Sequence, residues 1–110
     1  MYSKATELQK YINNNYPATC VLKECSETKH ILLDTLIVNK NFRRQAIGSE
    51  IMKLITAYAD KQGGTITLVL SDGYGYPNPV LETFYRKHGF TLSDTIKQGD
   101  GLFQSMVRYN

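Results

Sequence analysis

The segment over residues 43–49 carries the side chains with the clearest chemical potential. It reads Arg-Arg-Gln-Ala-Ile-Gly-Ser and leads into a predicted amphipathic helix. The first backbone N–H groups of a helix have no intrahelical acceptor, and the helix dipole places roughly half a positive charge there. Ala46 and Gly48 are small enough to leave room for a phosphate, while Arg43 and Arg44 add positive charge. The pattern therefore predicts an anion-binding site.

Neither of the two common phosphate-binding fingerprints describes this loop. No Gly-Lys-Ser/Thr follows at the spacing of a Walker sequence, and the three glycines of the dinucleotide fingerprint are absent. On spacing alone a second interpretation is equally open. In that interpretation Gly48 only permits close packing of the helix on the sheet, and both arginines are solvated.

Eight secondary-structure elements are predicted along the chain. Ala5, Leu8, Tyr11 and Ile12 form one apolar helical stripe that ends before Pro17. The stretch over 65–70 is almost continuously apolar and is predicted to be a central strand buried on both faces. In order, the predicted elements are a helix over 3–16, strands over 18–24 and 29–38, a helix that follows the loop and ends at Gly63, a strand over 65–70, a helix over 80–88, and strands over 90–95 and 102–109.

This order of elements determines the fold class. A strand–helix–strand crossover requires parallel strands around the long helix, whereas the strand pairs at both ends of the chain read as antiparallel hairpins. The prediction is an α/β (α+β) fold with a mixed, mostly antiparallel central sheet and helices packed on its faces. The length predicts one domain over residues 1–110.

Two motifs separated by the predicted central strand match a known pattern. The first, over residues 38–49, is Val-Asn-Lys-Asn-Phe-Arg-Arg-Gln-Ala-Ile-Gly-Ser. The second begins at Asn78 and continues seven residues later as Tyr-Arg-Lys-His-Gly-Phe over 85–90. In this order the motifs resemble the acetyl-CoA signature of the GNAT superfamily of N-acetyltransferases. The resemblance covers residues 36–90, about half the chain.

The resemblance assigns roles that spacing alone does not. In the family, the strand before the loop offers backbone groups to the pantetheine arm of acetyl-CoA, and the loop amides hold the pyrophosphate. Tyr85 corresponds to the tyrosine that protonates the leaving CoA thiolate, and a phenol with a pKa of ~10 stays protonated at neutral pH. The residues implied to bind acetyl-CoA are Leu36, Ile37, Val38, Arg43, Arg44, Gln45, Ala46, Ile47, Gly48, Ser49 and Asn78.

Two departures from the family pattern affect the site. Ala46 replaces the middle glycine of the loop and adds a methyl group near the pyrophosphate. Leu32 stands six residues before Val38, where the family often carries a glutamate. Asp34 and Asp72 are the alternative catalytic bases, although each is equally a solvated carboxylate or a turn residue. Relay of the amine proton through water is the third route.

Composition and charge set the outer limits. The net charge of +3, from 13 Lys and Arg against 10 Asp and Glu, fits an anionic small ligand and makes nucleic acid an unlikely partner. The most apolar stretch, over 66–70, is far shorter than the ~18 residues of a membrane span. No secretory signal is visible at the start of the chain. We therefore expect a cytoplasmic protein without a membrane segment, monomeric or homodimeric.

The cysteines and histidines carry weaker signals. Cys20 and Cys25 lie five positions apart, with no second Cys or His pair at ligand spacing, so no metal site is predicted. Both cysteines are expected to be packing residues in a reducing compartment. His30 and His88 have no Ser or Cys partner that the sequence identifies.

The function implied by the resemblance is transfer of acetyl from acetyl-CoA to a primary amine by direct attack. The acceptor pocket of the family is normally built from an N-terminal strand and paired helices, which are here reduced to one helix. Very small members that resemble this chain include phage-borne enzymes that modify host proteins, which favours a protein lysine as the acceptor. The alternative is a catalytically inactive GNAT-like module that binds CoA or a protein partner.

Overall fold

Three helices and five strands follow one another through the described residues in the predicted order. The computed structural model describes residues 4–39, 41, 46–70, 78–98 and 101–109, with the backbone alone at 78, 96, 98, 101 and 102. The elements are α1 (Ala5–Asn15), β1 (Ala18–Glu24), β2 (Ile31–Val38), α2 (Ile47–Gln62), β3 (Ile66–Val69), α3 (Asn78–Arg86), β4 (Thr91–Gln98) and β5 (Gly101–Arg108).

The five strands form one sheet in the order β1-β2-β3-β5-β4. β2 and β3 are parallel, whereas the pairs β1–β2, β3–β5 and β4–β5 are antiparallel. Parallel neighbours need a crossover connection, and α2, with 16 residues, provides it. The predicted mixed, mostly antiparallel sheet is confirmed.

One hydrophobic core lies between the sheet and the helices. Ile66 and Leu68 face it from β3, and the fully buried apolar side chains described in all three helices belong to the same cluster. Thr67 and Val69, which alternate with them along the strand, are only half-buried. The prediction that this strand is buried on both faces is therefore wrong, because its second face lies outside the core.

The side chains of α1 pair with the outer edge of β1. Asn13 accepts a hydrogen bond from the Cys20 N–H at 2.7 Å and donates to the Cys20 carbonyl at 2.9 Å. Gln9 accepts from the Leu22 N–H at 2.8 Å. The two amides thus occupy backbone groups that an edge strand otherwise leaves open for pairing with another chain.

Glu24, at the end of β1, joins the two longer helices. Its half-buried carboxylate accepts the Ala5 N–H at 3.0 Å, at the start of α1. It also accepts the Tyr58 hydroxyl of α2, at 2.8 and 3.0 Å from its two oxygens. Burial, followed by the adjacent Glu24 carboxylate, raises the pKa of Tyr58, so this hydroxyl stays protonated and remains a donor.

Tyr58→Phe is expected to lower the free energy of unfolding by about 1.5 kcal/mol, since hydrogen bonds to charged groups contribute about that much or more. Urea unfolding of both proteins measures the difference. Tyr109→Phe is the matched control, because Tyr109 is 72% exposed and should unfold as the wild type does. An unchanged midpoint for Tyr58→Phe would mean that the Glu24 contact contributes no net stability.

Candidate active site

A β-bulge interrupts β2 at Asp34. Val21 of β1 pairs with Thr35, but the next residue, Leu22, pairs with Leu33. Asp34 is therefore the extra residue on β2, and it is exposed. A bulge bends its strand and increases the local twist, which here redirects the second half of β2.

The parallel pairing of β2 with β3, as far as the described residues show it, joins residues 31–33 to 66–68. Because the bulge shifts the alternation by one residue, Leu36 and Val38 face the same side of the sheet as Leu33, opposite buried residues of β1. Leu36 and Val38 lie at the wall of an open space beside β2, here called the gap.

The backbone groups of Leu36 point away from β1. Both backbone groups of its partner Cys20 are turned outward, toward Asn13. In an antiparallel pair the groups of directly opposite residues either both face inward or both face outward, so those of Leu36 face away from β1. Ile37 has the opposite orientation and faces β1. Of the residues predicted to offer backbone contacts to acetyl-CoA, Leu36 thus has its backbone groups directed away from β1 and Ile37 has them directed toward it.

The amino end of α2 lies beside the gap. Ala46 precedes the helix with left-handed backbone angles, φ 57° and ψ 18°. This conformation costs a residue with a Cβ atom roughly 1–2 kcal/mol, which explains why glycine is the usual residue there. Glu50 N–H donates to the Ala46 carbonyl at 3.1 Å. By helix geometry, the N–H groups of Ile47, Gly48 and Ser49 therefore point out of the helix end.

Gly48 lets α3 approach this helix end. A Cβ atom on Gly48 would lie 3.3 Å from the ring of Phe84 and 3.8 Å from Val38. Phe84 is half-buried and is stacked edge-on between Tyr85 and His88, with ring centroids 5.2 and 5.0 Å away. Phe84 packs against the core and also forms part of the site.

Tyr85 is the buried tyrosine of α3, with 8% of its surface exposed. Burial, followed by the nearby Cys20 thiol, raises the pKa of Tyr85 to about 12. Its hydroxyl has no hydrogen-bond partner among the described residues, although none of their fully buried side-chain oxygen or nitrogen atoms lacks one. The hydroxyl therefore reaches open space rather than the sealed core.

The backbone of Tyr85 is held by the C-terminal cap of α3. The Phe90 N–H donates to the Tyr85 carbonyl at 3.2 Å, and the Gly89 N–H donates to the Arg86 carbonyl at 3.1 Å. With Gly89 at φ 92°, this is a Schellman motif, in which the residue after the glycine packs against the first residue of the motif. The Tyr85 and Phe90 rings make that contact, 5.6 Å apart. The predicted Tyr-x-Lys-x-Gly-Phe segment thus forms the helix cap that holds Tyr85 in position.

A groove of ≈ 250 Å³ lies where β2, α2 and α3 meet. Predicted site residues at its wall are Leu36, Val38, Ala46, Gly48, Ser49 and Tyr85. The sequence did not single out Val80, Leu81 and Phe84, which complete the wall from α3. Their apolar spacing along a short helix beside Asn78 was the available signal.

Other predicted site residues lie elsewhere. Ile47 is buried in the core, and Asp34 and Ile37 are not part of the groove wall. Asn78 begins α3, but only its backbone is described. Four predicted residues fall outside the described part of the chain: Arg43, Arg44, Gln45 and Asp72.

The histidines and cysteines lie in separate environments. His30 Nε2 is 2.8 Å from Thr67 Oγ1, and desolvation lowers the pKa of His88. Cys20 is buried, which raises the pKa of its thiol to about 12. Cys25 is exposed, so the prediction that it is a packing residue is wrong, and hydrogen bonds from Thr28 and then Glu27 lower its pKa.

Two features are absent from the described part of the chain. No group of three or more His, Cys, Asp and Glu side chains there is placed to hold a metal ion. No helix among those residues is long and apolar enough to cross a membrane.

The chain belongs to the GNAT acetyltransferases. Residues 8–92 match the family model described as an acetyltransferase (GNAT) domain. The family predicted from the two motifs is thereby confirmed. No curated protein matches the chain.

Solved structures share the fold. Naa50 of Arabidopsis thaliana, in complex with the bisubstrate analogue CoA-Ac-MVNAL, has a TM-score of 0.68 at 22% identity, over 84% of this chain and 64% of that one. Nourseothricin acetyltransferase has a TM-score of 0.65 at 21% identity, over 84% of this chain and 57% of that one. Ard1 from Thermoplasma volcanium has a TM-score of 0.68 at 19% identity, over 98% of this chain and 80% of that one. The chain thus spans less than two thirds of the length of the first two structures.

Proposed function

We propose that this protein transfers acetyl from acetyl-CoA to a primary amine by direct attack. The observation that carries the proposal is the groove where β2, α2 and α3 meet. Leu36 and Tyr85 line it, and the amino end of α2 lies beside it. Family membership over residues 8–92 and the CoA-containing analogue bound to Naa50 support the same assignment.

Acetyl-CoA would bind along β2 and across the amino end of α2. The N–H groups at the start of α2 suit the pyrophosphate, with Arg43 and Arg44 adding charge. The pantetheine arm would form hydrogen bonds with the backbone of Leu36 and Val38. Its methylene groups would then pack against the apolar wall of the groove. Asn78, at the start of α3, completes the proposed contacts.

The reaction forms an N–C bond and breaks the C–S bond. The neutral amine attacks the thioester carbonyl, and the Leu36 N–H is oriented to stabilise the negative oxygen of the tetrahedral intermediate. When the C–S bond breaks, the Tyr85 hydroxyl donates a hydrogen bond to the leaving thiolate. A phenol of pKa about 12 remains neutral, but full proton transfer to a thiolate with a conjugate-acid pKa of ~8.5 is unfavourable by ~5 kcal/mol. Tyr85 would therefore act as a hydrogen-bond donor, and the final thiol proton would come from solvent.

The amine loses one proton in the same reaction. Asp34 is exposed at the bulge, two residues before Leu36 on β2, and it is the described carboxylate proposed to take that proton, directly or through water. Asp72, outside the described residues, is the other proposed base. Asp34 is not part of the groove wall that would hold the cofactor, which suits a base acting on the acceptor side.

A protein amine is the proposed acceptor. Leu32, Ile37 and Val69 lie on the sheet face turned away from the core, are half-buried, and do not pack against the core cluster. An apolar face beside the gap suits a macromolecular acceptor better than a small polar amine. A lysine of a host protein, as in phage-type enzymes, is the finer proposal, with the enzyme monomeric or homodimeric in the cytoplasm.

The transfer itself is tested with the full chain, [¹⁴C]acetyl-CoA and a bacterial lysate. We expect CoA release and labelled amines, identified by mass spectrometry as acetyl-lysine or an acetylated N-terminus. Heat-inactivated protein is the blank. Saturable acetyl-CoA binding without label transfer to proteins, peptides or polyamines would contradict the proposal and favour the inactive binding module.

A further inference from the structure

A single arginine ties the carboxyl end of α3 to two other elements. Arg108, the last residue of β5, donates from Nε to the His88 carbonyl oxygen at 3.1 Å. Its Nη1 and Nη2 atoms donate to Asp60 Oδ1 and Oδ2 of α2, at 2.8 and 3.0 Å. One side chain therefore joins α3, α2 and the sheet.

The contact restrains orientation as well as distance. Two parallel hydrogen bonds between a guanidinium and a carboxylate fix the plane of the arginine fork. Hydrogen bonding to Arg108 is also the main cause that lowers the pKa of Asp60, so the carboxylate is ionised at neutral pH. A Cβ atom at Gly89 would lie 3.2 Å from Arg108 Nε, so the glycine of the cap also makes room for the arginine.

This anchor lies three residues from Tyr85, within the same C-terminal cap. α3 has nine residues, and among those whose side chains are described Tyr85 is the buried one. A helix of this length is marginal by itself, so tertiary contacts determine its orientation. A shift of the cap would move the Tyr85 hydroxyl relative to the gap beside Leu36.

We propose that Arg108 and Asp60 form a positioning pair that holds the Tyr85 hydroxyl in register with the leaving sulfur. The inference rests on the proposed acetyl transfer. Neither residue touches the groove, so both act through the α3 cap and not on the substrate. A misplacement of about 1 Å in a catalytic geometry is sufficient to slow a reaction by one to two orders of magnitude.

The test is a double-mutant cycle measured at saturating acetyl-CoA. Arg108→Met is expected to lower kcat about tenfold with Tyr85 present, and less than about twofold in the Tyr85→Phe background. KM for acetyl-CoA should change little in either background. Arg108→Lys, which keeps the charge but loses the fork, should resemble Arg108→Met. Equal losses in both backgrounds, or an unchanged kcat, would overturn the pairing.

Loss of stability alone is separated by two further variants. Tyr58→Phe removes a hydrogen bond away from the groove and should retain the wild-type kcat despite its lower stability. Asp60→Asn keeps the Arg108 bond to His88 but removes the charged fork. If Arg108→Met does not fold, the Asp60→Asn variant replaces it in the cycle. A loss of kcat for Asp60→Asn with Tyr85 present, but not with Tyr85→Phe, would then support the positioning pair. Absence of acetyl transfer by the wild type would overturn the proposed function. An active wild type whose kcat is unchanged in the Arg108 and Asp60 variants would overturn the positioning pair alone.

Discussion

Tyr85→Phe should lower kcat about 100-fold while leaving folding stability and acetyl-CoA affinity nearly unchanged, because it removes one donor aimed at charge that develops in the transition state. The ring remains, and with it the packing against Phe90 and the C-terminal cap of α3. The hydroxyl has no hydrogen-bond partner among the described residues, so its removal leaves no such group unpaired. Steady-state kinetics at saturating acetyl-CoA, beside a thermal melt, measures both expectations.

The pH dependence provides a second measurement on the same residue. With its pKa at about 12, Tyr85 keeps its proton throughout the usable range, so it adds no falling limb to the rate up to about pH 10. The rate should instead rise with pH as the acceptor amine loses its proton. A saturated rate for Tyr85→Phe within threefold of wild type would remove Tyr85 from the reaction and leave water as the donor.

Local signals in the sequence predicted most element positions. β1 spans 18–24 as expected, and α2 ends at Gln62, just before Gly63, whose φ of 73° is the left-handed conformation that glycine adopts readily. The start of α1 was predicted from Ser3, which lies outside the described residues. The helix begins at Ala5, and its first N–H is accepted by Glu24 from β1, a contact 19 residues away that no local pattern encodes.

The bulge at Asp34 was beyond the reach of the sequence for a physical reason. Both faces of β2 carry apolar residues, with Leu32 and Ile37 on one face and Leu33 and Leu36 on the other. A period-two pattern therefore contains no mark of where the alternation shifts. The bulge nonetheless decides which backbone groups of β2 are directed away from β1.

Long-range polar contacts were equally hidden. Arg108 and Asp60 are 48 residues apart, and many other charged pairs in the chain are chemically equivalent. The motif over residues 85–90 identified Tyr85 and Gly89 as a unit, but not the arginine that anchors their cap. Such contacts follow from the packing of α2, α3 and β5 together, which only the assembled fold determines.

Gly48→Glu should abolish the stabilisation of the fold by acetyl-CoA. If the amino end of α2 binds the pyrophosphate, ligand at 100 times its Kd stabilises the wild type by about 2.7 kcal/mol. For a domain of this size that corresponds to a rise in Tm of about 10 °C or more. The glutamate places negative charge where the phosphates are proposed to bind, and its Cβ atom already contacts Phe84 at 3.3 Å.

Two neutral substitutions at the same position separate charge from bulk. Gly48→Gln has nearly the shape of the glutamate without its charge, and Gly48→Ala adds only the methyl group against Phe84. Since a negative charge near a helix amino terminus does not destabilise the helix, the ligand-free Tm of Gly48→Glu and Gly48→Gln should be similar. With acetyl-CoA, we expect Gly48→Ala to show most of the wild-type rise in Tm, Gly48→Gln part of it and Gly48→Glu none. A full shift for glutamate would place the phosphates away from α2 and contradict the proposed binding mode.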